Sequence, residues 1–262
     1  MYPFLHQLLS DKKGGEIFVL FGGWHFLYIL LTLAVAATVW RACDRRGGLH
    51  EKTVRFFIDL AFGMYVADLF LMPIAYGEID IEKLPFHACT AMCVACFLSY
   101  RVRFFEKYRS SFVLLGLISN LVYLIYPAGV MWHAVHPLSY RVIQTLTFHG
   151  VMSVYGVLYL LREFRSMELG KCRCDLAVVC TMTFWALVGN YAYNGSSEGY
   201  SHFFNWFFVV RDPFHVIPEA ISSYLMPLLN VVIFFALELL IRMAIWRINA
   251  GRMRKNDQRE GI

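Results

Sequence analysis

The stretch "EKLPFHACTAMCVACFLSY", residues 82–100, decides how this chain is folded. It sets a histidine, Pro85 and three cysteines among residues of a membrane-spanning type, and its apolar part, about 84–100, is the shortest of seven such runs. The others cover about 17–40, 54–76, 112–130, 138–161, 175–193 and 218–246. A bilayer-spanning helix needs roughly 20 mostly apolar residues. Counting the short run as a span therefore makes the chain a seven-helix protein. Composition agrees: 58% of residues are hydrophobic and 16% charged, with a mean hydropathy of +0.52. Soluble domains run near half apolar and about a quarter charged. Lipid offers the backbone no partners, so the spans are expected to be helices. No repeat, low-complexity tract or long linker divides residues 1–262, which predicts a single all-α transmembrane domain. The first run is read as a retained span, although Lys12 and Lys13 precede it and "AVAAT" ends it, because it is too long for a signal-peptide core.

Charge gives an orientation. Arg41, Arg45, Arg46, Lys52 and Arg55 follow the first run; Arg101, Arg103, Lys107 and Arg109 follow the third. Arg162, Arg165, Lys171 and Arg173 follow the fifth, and Arg247, Arg252, Arg254, Lys255 and Arg259 follow the seventh. The opposite loops carry Lys83, Arg141 and Arg211, together with the acidic Glu78, Asp80 and Glu82. The positive-inside rule then predicts an N-terminus outside and a C-terminus in the cytosol, with Lys12 and Lys13 outvoted. The net charge of +5 is thus a topology signal and not a nucleic-acid signature. With Cys43, Cys172 and Cys174 in cytosolic loops and an odd total of seven cysteines, reduced thiols are expected.

With this topology, polar residues gather in the outer half of the spans. A rise of ~1.5 Å per residue puts Cys89 roughly 8 Å below the outer surface, with His149 at about the same depth. Asp68, Asn120, His25, Asn190, Tyr191 and Tyr193 also fall in outer turns. Such residues normally face a bundle interior, which predicts one water-accessible cavity there. Asp59 and Glu238 sit near the cytosolic edge, where they are expected to snorkel. Cys89, Cys93 and Cys96 share a helix face, whereas His87 and Cys89 point apart, so a base for Cys89 comes from another helix. Three readings of these residues stand side by side: a Cys89–His149 reaction centre, cysteines packed between helices, and a metal site. "HACTAMCVAC" offers four soft ligands, lacks zinc-type C-x2-C spacing, and would need His149 or His25 to complete a site. The segment "HFFNWFFVV" is too short to span and is expected in the interface, as an anchoring belt or a lid. "NGS" at Asn194 matches a glycosylation acceptor.

The order "LPFHAC" (84–89), Tyr126-Pro127, "FHG" (148–150) and "GNYAY" (189–193) resembles the YwaF / TMEM164 family of integral membrane proteins, over about Phe21 to Arg242. The resemblance implies seven helices without a soluble domain. Its eukaryotic branch implies acyl transfer between (ether) phospholipid and lysophospholipid, with a cysteine and a histidine that map onto Cys89 and His149. His87, Asn190 and Tyr191 match family motif positions and are expected to bind substrate or its oxyanion; His25, Asp68, Asn120 and Tyr193 are expected to line the cavity. "GNYAY" departs from the pattern by one residue before the asparagine. No cofactor is implied. Expected partners are phospholipid and lysophospholipid in a plasma membrane if bacterial, or an endomembrane if eukaryotic. A non-enzymatic lipid or small-molecule carrier and a His/Cys metal-binding protein remain the alternatives.

Overall fold

The computed structural model describes Leu9 and residues 15–45, 48–76, 81–130, 134–194, 204–213 and 216–260. Lys12, Lys13, Arg46, Glu78 and Asp80, which enter the charge argument, and residues 195–203 of the aromatic loop lie outside the described residues. Among the described residues all regular structure is helical. Seven helices exceed ten residues: α1 Gly23–Asp44, α2 Glu51–Tyr76, α3 Ala88–Ser99, α4 Arg109–Ile125, α5 Tyr140–Glu163, α6 Cys172–Asn194 and α7 Glu219–Glu260.

Three stretches are long and apolar enough to cross a bilayer: α1, Leu169–Asn194 including α6, and Glu219–Gly251 of α7. α1 buries His25 alone and presents Leu27, Leu30, Leu31 and Leu33 outward. Exposed apolar surface on that scale is foreign to a soluble monomer and ordinary for a lipid-facing helix. α3 is shorter than its sequence suggests, because Pro85 holds Leu84–His87 out of the helix and His87 becomes its N-cap. Its 12 residues rise about 18 Å.

α4 lies at the centre, buried from Ser110 to Ile118, and packs against α3, α5, α6 and α7; α5 packs in turn on α1 and α2. Small residues permit the close crossings. A Cβ on Gly150 would stand 2.7 Å from Thr32 Oγ1 of α1, and one on Gly156 2.8 Å from Leu117 Cβ of α4. At the far end, Arg242 of α7 holds Asp175 of α6 through two guanidinium nitrogens and also donates to Ser110 Oγ of α4 (3.1 Å). Glu238 does not snorkel. It is fully buried one helical turn from Arg242 and faces the bundle.

Candidate functional site

The packing of α3 on α4 sets the level of the candidate residues. Met92 lies against Gly116, where an added Cβ would stand 3.2 Å from Met92 Cβ. The two helices run antiparallel, so one turn toward the start of α3 and the end of α4 brings Cys89 level with Asn120. His149 of α5 reaches that same level, because its Nδ1 is 2.7 Å from Asn120 Oδ1. Cys89 and His149 therefore stand at one level along the packed helices. No hydrogen bond joins them among the described residues. The Tyr123 ring stacks on His149 at 3.8 Å and 13°.

The histidine tautomer follows from its partners. The Asn120 amide nitrogen donates to Gly116 O (2.6 Å), and a carbonyl can only accept. Asn120 Oδ1 thus faces His149 and accepts from Nδ1–H, which leaves Nε2 as the proton acceptor. Among the three cysteines on one face of α3, Cys93 and Cys96 are fully buried in the core, and Cys89 alone keeps partial exposure. Cys89 sits in the first turn of α3, which begins at Ala88. A helix N-terminus is where a thiolate or oxyanion is best accommodated.

A second layer surrounds this pair. Lys83 Nζ is 3.0 Å from Asp68, which also accepts from Tyr140 Oη (3.1 Å), and Tyr65 Oη donates to Lys83 O (3.0 Å). These contacts tie α2 and α5 to the turn before α3. His87 accepts the Phe207 N–H at Nδ1 (3.3 Å), so its own proton sits on Nε2. His25 belongs elsewhere: it accepts from Phe21 N–H (3.0 Å) and donates to Leu124 O (2.7 Å), fastening α1 to the end of α4.

The described part of the aromatic segment, residues 204–210, packs inward. Phe204, Trp206 and Phe207 are buried. Trp206 stacks against Phe204 and Phe86, and Phe207 packs on Phe234 of α7. Asn190 spends its amide on this segment, donating to Trp206 O (3.0 Å) and accepting from Trp206 N–H (2.9 Å). It positions this segment, and both of its N–H groups are taken, one by Trp206 O and one by Ala186 O (2.8 Å), which leaves no donor for a substrate carbonyl. Asn194 pairs with the Phe204 backbone in the same way. Tyr193 adds an edge contact to Trp206, whereas Tyr191 points outward at 62% exposure. Phe207 and Phe208 both adopt positive φ (57° and 52°), an unusual backbone for aromatic residues. Gly189 explains its place in "GNYAY": the Phe86 ring lies where its Cβ would stand, within 2.4 Å. Gly189→Leu is expected to expel Phe86, loosen the approach to α3 and lower the thermal midpoint; an unchanged midpoint would refute that notch.

Two surface grooves lie elsewhere. One, of about 300 Å³, runs between α3, α4 and α6; the other, of about 240 Å³, lies between α2 and α5. Cys89 and His149 line neither of these two grooves. Among the described residues no three His, Cys, Asp or Glu side chains gather as metal ligands. No family model, curated protein or solved structure matches the chain. The reading of the site rests on its own geometry.

Proposed function

We propose that the chain is a seven-span membrane acyltransferase with its first span starting on the non-cytosolic side, and that Cys89 and His149 form its reaction centre. The carrying observation is the Gly116–Asn120–His149 chain, which leaves His149 Nε2 ready to accept a proton at the level of Cys89. The seven-span count is supported by the three long apolar helices and by the lengths of α2 and α5, about 39 and 36 Å. α3 is too short alone, and its extended lead-in completes the span. Non-helical backbone is tolerated at such depth when protein satisfies it; here Pro85 O accepts from Trp185 Nε1 (2.7 Å).

The reaction balances with these groups. His149 Nε2 takes the Cys89 proton as the sulfur attacks an ester carbonyl of a phospholipid. The lysolipid alkoxide leaves with that proton, and a thioester remains on Cys89. A second lysolipid hydroxyl then gives its proton to Nε2 and attacks the thioester; the sulfur departs and recovers a proton. His87 Nε2–H and the first-turn N–H groups of α3 hold the oxyanion in both steps. The motif order resembling the YwaF / TMEM164 family favours the same chemistry.

His149→Ala, assayed for transfer of a labelled acyl chain from phosphatidylcholine to a lysolipid in proteoliposomes, is expected to lose at least ~10²-fold in rate, the usual contribution of a general base. Transfer at the native rate would overturn the assignment. Asn120 is a positioning residue, so Asn120→Ala should lower the rate about 10- to 100-fold. It should also shift the pH dependence of kcat with KM little changed, which a merely loosened fold would not do. Orientation has its own check: an impermeant maleimide should label Cys43 and Cys172 only after the membrane is opened. Labelling of either from the intact outer side would reverse the topology.

A further inference from the structure

The end of the bundle rich in arginine and lysine treats its cations in two ways. Arg101 pairs with Asp59, Arg109 with Glu106, Arg162 with Glu51 and Glu163, and Arg242 with Asp175. Arg103, Lys107 and Arg173 are exposed, and among the described residues they have no carboxylate within ion-pair distance. Each stands next to, or one helical turn from, residues that line the groove between α3, α4 and α6. Arg103 and Lys107 bracket the single helical turn that supplies Phe104 to the groove wall, and Lys107 Nζ lies 5.1 Å over the Phe104 ring and 4.7 Å over Tyr108. Arg173 is four residues before Ala177 and eight before Thr181, so it continues their stripe along α6. Glu106, on the same turn, is engaged with Arg109 at 3.8 Å.

The groove itself is apolar and narrow. Ala91 and Ala95 of α3 and Ala177 of α6 leave a trough of about 300 Å³, also lined by Trp185. Ala177 to Trp185 spans about 12 Å along the helix, and the volume is at the low end for a ligand site.

We propose that this groove is a selective site for an anionic glycerophospholipid, with one acyl chain along Ala91, Ala95 and Ala177 and the phosphate between Arg103, Lys107 and Arg173. Lipid tails gain little by leaving other tails for an apolar groove. Selectivity therefore comes from the headgroup, and each basic side chain near a membrane surface is worth roughly fivefold in affinity for anionic lipid. The site requires the membrane reading of the chain but not the Cys89–His149 chemistry: Arg103 and Lys107 follow the end of α3, whereas Cys89 lies at its start.

The test is native mass spectrometry of the purified full-length protein, titrated with phosphatidylglycerol or phosphatidylcholine of identical chains. Phosphatidylglycerol should be retained at least ~10-fold better. The variant Arg103→Gln/Lys107→Gln/Arg173→Gln should lose that preference, and the exposed positions make unfolding no explanation. Ala95→Trp should reduce retention of both lipids at an unchanged thermal midpoint, and inorganic phosphate should not compete, because the chain is part of what binds. Cys89→Ala should keep the preference, which separates this site from the reaction centre. Equal retention of the two lipids, or an undiminished preference in the triple variant, would overturn the proposal. Displacement by inorganic phosphate would reduce it to a simple anion patch and overturn it as a lipid site.

Discussion

Cys89→Ala is expected to abolish acyl transfer, with a loss of about 10³-fold or more, and with it a covalent adduct that the native protein forms. Incubated with phospholipid, the native chain should gain the mass of a fatty acid less one water, and hydroxylamine should remove it. Peptide mapping should find the acyl group on Cys89. Cys93→Ala and Cys96→Ala should keep the adduct, because both thiols are sealed in the core while Cys89 retains exposure. Cys180 is the internal control: it is exposed on α6, a helix outside the proposed centre on α3 and α5, so acylation there would mean adventitious chemistry. An adduct that persists in Cys89→Ala would sink the nucleophile assignment. The Cys89→Ala/His149→Ala double variant should be hardly worse than either single one, since residues that act as one unit fail together and not additively.

That Cys89 and His149 stand at one level of the bundle was legible from the sequence, because rise per residue is robust to local detail. The shared face of Cys89, Cys93 and Cys96 was legible for the same reason. The role of Asn120 was not. Its i, i+3 relation to Tyr123 marks a common face, but no spacing rule tells that its oxygen meets Nδ1 of a histidine on the next helix. Asn190 misleads in the opposite direction. A polar residue near the end of a span looks like a cavity group, yet a backbone brought back by a strained aromatic loop consumes its amide. Glu238 shows the limit of reasoning by distance from the membrane edge. It has room to snorkel along the helix, but its rotational position on α7 turns it toward α6 and Arg242. The length of α3 was overestimated because apolar composition does not register that Pro85 delays the helix until Ala88.

Removing one partner of the Arg242–Asp175 pair is the second change with a large expected effect. Asp175 is fully buried and Arg242 is 1% exposed, so neither charge has water to fall back on. The pair joins α6 to α7, and Ser110 extends it to α4. Asp175→Ala should therefore cost about 3–5 kcal/mol, measured by reversible unfolding in mixed micelles, because it strands a buried guanidinium. Asp175→Leu combined with Arg242→Met should recover much of that loss, since an apolar pair of similar volume removes both desolvation penalties together. Glu238 supplies a contrast of sign at the same place. Neither of its carboxylate oxygens has a hydrogen-bond partner among the described residues, so Glu238→Gln deletes a potential charge without breaking a bond. It should leave stability unchanged or raise it. A loss as large as that of Asp175→Ala would mean that the Glu238 carboxylate balances Arg242 in the native bundle, and that the cluster is a triad and not a pair.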